Sequence, residues 1–468
     1  MSVLHRKVDD EDVEQELCVR PLYAQTLDST VVPRYQLGQH PMPPDTALAV
    51  IRDELLLDGN ARQNLATFCT SWMEPQAREL MADCIDRNMI DKDEYPQTTE
   101  LEHRCVNILA HLWHARPEAT GCSTAGSSEA AMLAGLALKW RWRQRMGAHG
   151  GAPGVERPNL VTGGNVHVCW PKFCRYWDVK HRVIPMSRNR TTLDPDLVAE
   201  ACDSNTIGVV AVMGSTEDGR YDPIAEIAAR LDMLQAETGL NIPIHVDGAS
   251  GGFVAPFLQP DTLWDFRLPR VGSINTSGHK YGLVYPNIGW MIWRDSLHLP
   301  DDLVFRVNYL GGELETFTLN FSRSGAPIAA QYYNLLRLGH NGYRMIQQNC
   351  QDVARYLARE IDAMSAFELL SDGSDLPVVA FTLREDITNF SVYDLTDRLR
   401  ANGWQIPAYP LHLGREELPI CRIVVRHGFT TDLAEMLVEH LRLHTSTLLK
   451  HPHPSPPTTT EQSPAFHH

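Results

Sequence analysis

Ile207-Gly208-Val209-Val210-Ala211-Val212 is an apolar run that reads as a buried strand. A helical pattern from Ile224 to Thr238 follows it. A second apolar run comes next, Ile242-Pro243-Ile244-His245-Val246, and it ends in Asp247. Working outward, the helix Glu129 to Met146 and the short strand Asn159-Leu160-Val161 continue the alternation. Apolar strands alternating with helices predict an α/β fold with a mostly parallel sheet covered on both faces. Further on, a helix (Gln351 to Met364), a strand (Val378 to Thr382), a helix (Tyr393 to Asn402) and a strand (Ile423 to Val425) predict a small C-terminal α+β domain. The expected organisation is an N-terminal arm (1–60), a large domain (61–345), a small domain (346–450) and a mobile tail rich in Pro, Thr, Ser and His (451–468). Gly147 to Gly154 reads as a flexible loop, and no internal repeat is evident.

Composition narrows the function classes. The chain has 468 residues, 43% hydrophobic and 21% charged, which is ordinary globular composition with length for a large core. Its net charge of −16 argues against nucleic-acid binding, which normally shows a basic face. No apolar run approaches the roughly 20 residues of a membrane helix. The charged stretch Met1 to Glu16 has no signal-peptide core. Ten scattered cysteines without CxxC spacing read as reduced cytoplasmic thiols, not as a disulfide framework or a metal site.

Chemistry enters at Ser277-Gly278-His279-Lys280. A lysine here with an aspartate at the end of an upstream strand is what an enzyme holding pyridoxal 5'-phosphate (PLP) needs. Lys280 forms a Schiff base with the cofactor aldehyde, and Asp247 keeps the pyridine nitrogen protonated so that the ring draws electrons from a breaking bond. Alone, His-Lys is a weak signal. Gly126-Ser127-Ser128-Glu129 opens the long helix, and a helix start with free N–H groups and two hydroxyls suits a phosphate, although a plain N-cap reads the same way. No Walker lysine motif or GxGxxG is present. His167 lies in Val166-His167-Val168-Cys169-Trp170, an alternating strand-like run, where its imidazole either stacks on the pyridine ring or is structural. Ala249-Ser250-Gly251-Gly252 supplies small residues beside a bulky cofactor, and His279 either reaches its phosphate or is a solvated loop histidine.

Beyond these residues, the chain resembles the PLP-dependent group II decarboxylases, and within them the glutamate decarboxylase family, over about residues 50 to 445. The resemblance rests on several blocks. They are Asp58-Gly59-Asn60-Ala61-Arg62-Gln63-Asn64-Leu65-Ala66-Thr67-Phe68, Asp91-Lys92-Asp93-Glu94-Tyr95-Pro96-Gln97, and Tyr309-Leu310-Gly311-Gly312 with Asn320-Phe321-Ser322-Arg323. It implies fold type I, the aspartate-aminotransferase-like fold, in homodimers that share active sites; hexamers of three dimers are common in the family. It implies conversion of L-glutamate to 4-aminobutanoate (GABA) and carbon dioxide, with one proton consumed, a reaction suited to acid resistance as well as to glutamate metabolism.

By motif matching, Lys280 is the Schiff-base lysine, Asp247 the pyridinium partner and His167 the ring-stacking residue. Ser127, Ser128, Ser277 and His279 match phosphate ligands, and Phe321 and Ser322 match phosphate contacts from the neighbouring subunit. Thr216 and Ala249 match positions facing the cofactor. Thr67, Phe68 and Asp91 match the site of the distal carboxylate, and Arg422 matches the arginine near the α-carboxylate, which a guanidinium clamps well. Tyr309 sits on a segment resembling the family's mobile catalytic loop, which assists protonation. His467 and His468 match the C-terminal histidine with which acid-tuned relatives shut the site at neutral pH; an inert tail is the alternative. The tail lacks the Trp and helical pattern of a calmodulin site. The nearest rival reading is a decarboxylase for an aspartate-like or aromatic substrate, which the blocks around Thr67 and Asp91 disfavour. A PLP lyase or desulfurase also uses His-Lys, and a non-enzymatic scaffold must explain why each chemical position is filled.

Overall fold

Valine, isoleucine and small residues build a central sheet that is buried throughout its middle. The computed structural model describes residues 35–38, 40–148, 157–187, 190–308, 314–411 and 416–450. The sheet has seven strands: β1 (Thr120–Thr124), β2 (Asn159–Gly163), β3 (Lys180–Ile184), β4 (Thr206–Val212), β5 (Ile244–Asp247), β6 (Val271–Ser277) and β7 (Gly289–Trp293). Their order is β1-β7-β6-β5-β4-β2-β3. Every residue of β2, β4, β5 and β6 is buried, as expected of strands covered on both faces. The strands from β3 across to β6 pair in parallel. β7 runs antiparallel to both β6 and β1, so β1 points the same way as β6. All strands but β7 therefore deliver their carboxyl ends to one edge, where α/β sheets place ligands.

The strand over Ile207–Val212 and the helix over Ile224–Thr238 appear where the sequence places them. Val166–Trp170 differs. It is not a strand but a turn that passes into the helix Cys169–Tyr176. The buried residues Cys169, Trp170, Phe173 and Cys174 recur with helical spacing, and that period overrides the short alternation before them. The helix expected over Gln351 to Met364 falls mostly within the later part of a longer one, Ala326–Asp362, broken at Gly339. Gly339 has φ of 56°, which a glycine adopts without a Cβ clash. The segment 149–156, most of the predicted Gly147–Gly154 loop, lies outside the described residues.

A short ribbon, β8 (Phe305–Val307) with β9 (Leu314–Thr316), precedes that helix. A four-stranded antiparallel sheet follows it: β10 (Phe367–Asp372), β11 (Val378–Leu383), β12 (Ala408–Pro410) and β13 (Pro419–Val424), in the order β10-β11-β13-β12. The helix Val392–Arg400 starts on a capping box in which the Ser391 and Asp394 side chains each satisfy the other's backbone N–H. A second hydrophobic core gathers here around Phe367, Phe381, Leu395, Trp404 and Leu437. The first 60 residues cluster as a separate unit. Its described helix, Pro44–Leu55, begins on a proline that needs no N–H partner in the first turn, and it buries no side chain. Among the described residues nine cysteines are free, and no helix is long and apolar enough to cross a membrane.

Candidate active site

The loops that leave the common sheet edge enclose a cavity of about 610 Å³, within the usual range for a cofactor or ligand site. β1 leads to Gly126, Ser127 and Ser128; β2 to Asn165 and His167; β4 to Gly214, Thr216 and Glu217; β5 to Asp247, Ala249 and Ser250; β6 to His279 and Lys280. Ala66 to Cys69, and Pro407, Tyr409 and Arg422 near the small sheet, close the remaining side.

Lys280 stands at the centre. Its Nζ donates to Ser250 Oγ at 3.3 Å and lies 5.0 Å from the centre of the Phe68 ring. Burial pushes the amine below its ordinary range, and the Asp247 carboxylate opposes that shift. Asp247 is held at both oxygens. Oδ1 accepts from Ala249 N at 3.1 Å and Oδ2 from Trp170 Nε1 at 2.8 Å. His167 Nδ1 accepts from Cys169 N at 3.3 Å, which ties its ring to the start of the next helix. Arg422 donates to the carbonyls of Thr216 and Ala66. Its guanidinium is in cation–π range of two rings, 5.2 Å from the centre of Phe68 and 5.6 Å from that of Tyr409. Arg422 Nε is buried without a hydrogen-bond partner.

The helix Ser127–Ala148 aims its start at the same cavity. His279 donates from Nδ1 to Ile288 O at 2.8 Å, and its Cε1 would lie 3.2 Å from a Cβ placed on Gly126. Ser277 does not line the cavity. It is fully buried, and its Oγ has no partner. A helix start at the cavity, two serines, a histidine ring packed against the preceding glycine and an orphaned hydroxyl behind it together fit a phosphate monoester. Gly289 makes the close approach possible, since a Cβ there would come 2.5 Å from Gly126 C and 2.8 Å from Ser127 N. Gly289→Ala is therefore expected to weaken PLP binding by about 10-fold or more, the scale of an overpacking penalty, in a fluorescence titration of the apoprotein.

Other expected positions fall elsewhere. Gly251 and Gly252 do not face the cavity; a Cβ on Gly251 would meet Met213 O at 2.3 Å and one on Gly252 would meet Thr276 Oγ1 at 2.7 Å, so both are small to let this turn pack on the protein itself. Asp91, Phe321 and Ser322 do not line this cavity either. They share a patch built by a bridge between Asn88 and Ser324. Asn88 Nδ2 donates to Ser322 Oγ at 3.4 Å, and Asp91 N donates to Asn88 O at 3.0 Å. Phe321 is 41% exposed there. Tyr309, His467 and His468 lie outside the described residues.

Sequence reasoning missed three participants. Trp170 reads in the sequence only as part of a strand-like run, yet it holds Asp247. Glu129, which opens the long helix, accepts from Ala125 N at 2.7 Å, Leu319 N at 2.9 Å and Asn320 N at 3.1 Å, and so joins the helix start to the segment before Phe321. Asp222 accepts from Asn165 Nδ2 at 3.0 Å and from Leu193 N and Val212 N; burial raises its carboxyl to about 6.

Residues 39–384 match the pyridoxal-dependent decarboxylase conserved domain. The chain belongs to the pyridoxal-dependent decarboxylase family. It is an enzyme of fold type I that uses PLP. It is 52% identical over 436 residues to a glutamate decarboxylase of Aliivibrio fischeri, covering 92% of this chain and 93% of the relative. It is 48% identical over 415 residues to glutamate decarboxylase 5 of Arabidopsis thaliana, covering 88% and 83%. The solved glutamate decarboxylase of Lactobacillus brevis superimposes with a TM-score of 0.88 at 47% identity, over 92% of this chain and 98% of that one. Membership brings to the cavity the cofactor whose phosphate the helix start fits.

Proposed function

We propose that this decarboxylase converts L-glutamate and a proton to GABA and carbon dioxide. The observation that carries the reading is one cavity that holds both the Lys280–Asp247 pair and the Arg422 guanidinium. When bound, PLP supplies a sink for the electron pair left as the bond between Cα and the α-carboxylate breaks. Lys280 would hold the cofactor and give way to the substrate amine; burial lowers its basicity and so favours the uncharged, nucleophilic amine. Asp247 would serve the ring nitrogen, His167 the ring face, and Thr216 and Ala249 would line the cofactor, since all four border the cavity. Ser127, Ser128 and His279 would receive the phosphate, with Ser277 behind them and not in the cavity itself. Arg422 takes the α-carboxylate, and Thr67 and Phe68 frame the distal one. Tyr309 retains its expected part in returning a proton to Cα.

The separate patch supports an active site completed by a second copy. In a homodimer, Asp91, Phe321 and Ser322 of one subunit would reach the other's cavity. Asp91 then meets the distal carboxylate and shares a proton with it, because two like charges at hydrogen-bond distance do not both stay ionised. Asp91→Asn is expected to flatten the acid preference of kcat/KM in a pH profile; an unchanged profile would remove the shared proton. Nine free thiols among the described residues suit the cytoplasm, the location we propose.

The deciding experiment incubates the PLP-loaded protein separately with L-glutamate, L-aspartate and L-tryptophan, and follows carbon dioxide and amine. Glutamate alone should yield both. Release from aspartate or tryptophan with none from glutamate would overturn the substrate reading. Borohydride should fix the cofactor on Lys280, and recovery of the label on another residue would overturn its role.

A further inference from the structure

We propose that Trp170 is a positioning residue for Asp247, fixing which lone pair of that carboxylate faces the cofactor ring. The inference rests on the reading that Asp247 meets the ring nitrogen. Asp247 is buried at the end of β5, where it has two stabilising donors. The Ala249 N–H comes from its own turn and would hold any aspartate in that position. The Trp170 N–H comes from 77 residues away and sets the rotation of the carboxyl group. With one lone pair of each oxygen engaged, the carboxylate has a defined edge to offer a ring N–H, and a bond to a buried charge is among the stronger hydrogen bonds.

The surroundings hold the indole firmly. Trp170 is fully buried, packed edge-on to Phe173 with ring centres 6.3 Å apart. His245 also packs on it, 5.1 Å between ring centres, from the same face of β5 as Asp247. Both His245 nitrogens are engaged, Nδ1 with Ser273 Oγ at 2.8 Å and Nε2 with Asn275 Oδ1 at 2.9 Å. Burial pushes this imidazole down to about 4, so it stays neutral and brings no second cation to compete for Asp247. Trp170 also sits three residues after His167, whose ring is tied to the same helix start. One short stretch thus carries the group over the ring face and the group that orients the ring-edge carboxylate.

The test compares the parent with Trp170→Phe, which keeps an aromatic ring and removes the N–H. A second variant carries an isosteric benzothiophene side chain at position 170, with sulfur in place of N–H. Each is loaded with PLP labelled with nitrogen-15 in its ring. Both variants should lose about 10- to 100-fold in kcat with KM for glutamate little changed, the loss of one bond to a charged group. Their ring-nitrogen resonance should move toward the unprotonated position, and PLP affinity should fall. The melting temperature of the benzothiophene apoprotein should fall by only a few degrees, the loss of one buried hydrogen bond with the packing intact. If Trp170→Phe fails to fold, the benzothiophene variant decides. Parent-like kcat and resonance in the benzothiophene variant would overturn the proposal, leaving Trp170 a packing residue. Should the parent release no carbon dioxide from glutamate, the substrate reading falls, while the resonance and the PLP affinity still decide the role of Trp170.

Discussion

Lys280→Met abolishes carbon dioxide release while leaving a folded and more stable apoprotein. The expected loss in kcat is about 10³-fold or more, because no other side chain replaces a covalent anchor and nucleophile acting as one group. The stability gain follows from the direction of the lysine's shift. Burial lowers its folded-state pKa below the unfolded value. Below the folded-state pKa, both states hold the proton and the full cost of a buried ammonium is present. Between the folded and unfolded values the unfolded chain holds more protons, so parent stability rises with pH across that window. Methionine has similar length and no charge to bury. The melting-temperature advantage of the Lys280→Met apoprotein should be largest at low pH and shrink as pH climbs toward the ordinary lysine range near ~10.4. A lower melting temperature at every pH would show that the ammonium stabilises the cavity.

Asp247→Asn should be the second most damaging change, lowering kcat by about 10²- to 10³-fold, the scale of breaking a buried charge pair. An amide brings no charge to the ring nitrogen. It also cannot satisfy its neighbours, since both carboxylate oxygens accept hydrogen bonds, from Ala249 N and Trp170 Nε1. An asparagine has one oxygen and must turn its NH₂ toward one of these donors. An unsatisfied buried donor costs about 1–3 kcal/mol, so the variant should also unfold earlier in urea. A variant with parental kcat would mean that the ring nitrogen needs no anionic partner here.

Much of this was legible in the chain. The apolar strands β4 and β5 and the helix between them were readable because period and length agree there. Lys280, Asp247, Ser127, Ser128, His167, His279, Thr67, Phe68, Thr216, Ala249 and Arg422 meet in one cavity, and each was in a motif that resembles the family. What stayed hidden was of two kinds. The turn at Val166–Val168 was hidden because five residues alternate by chance before a helical period takes over. The contacts of Trp170 with Asp247, of Glu129 with Leu319 and of Asn165 with Asp222 were hidden because they pair residues far apart in the chain. No local pattern signals such a partner; only the strand order brings them together.

The antiparallel strand β7 has a kinetic consequence. By reversing direction between β6 and β1, it places the Ser127 loop and the Lys280 loop on one edge, although β1 comes first in the sheet's sequence and lies at its end. The lysine and the phosphate cradle therefore meet only after this long-range pairing has formed, and such pairings close late because loop entropy opposes them. Arg422 arrives later still in the chain, from β13. Nascent or half-folded chains hold no complete cofactor cradle. If the cradle closes after the folding barrier, PLP should slow unfolding more than it speeds folding.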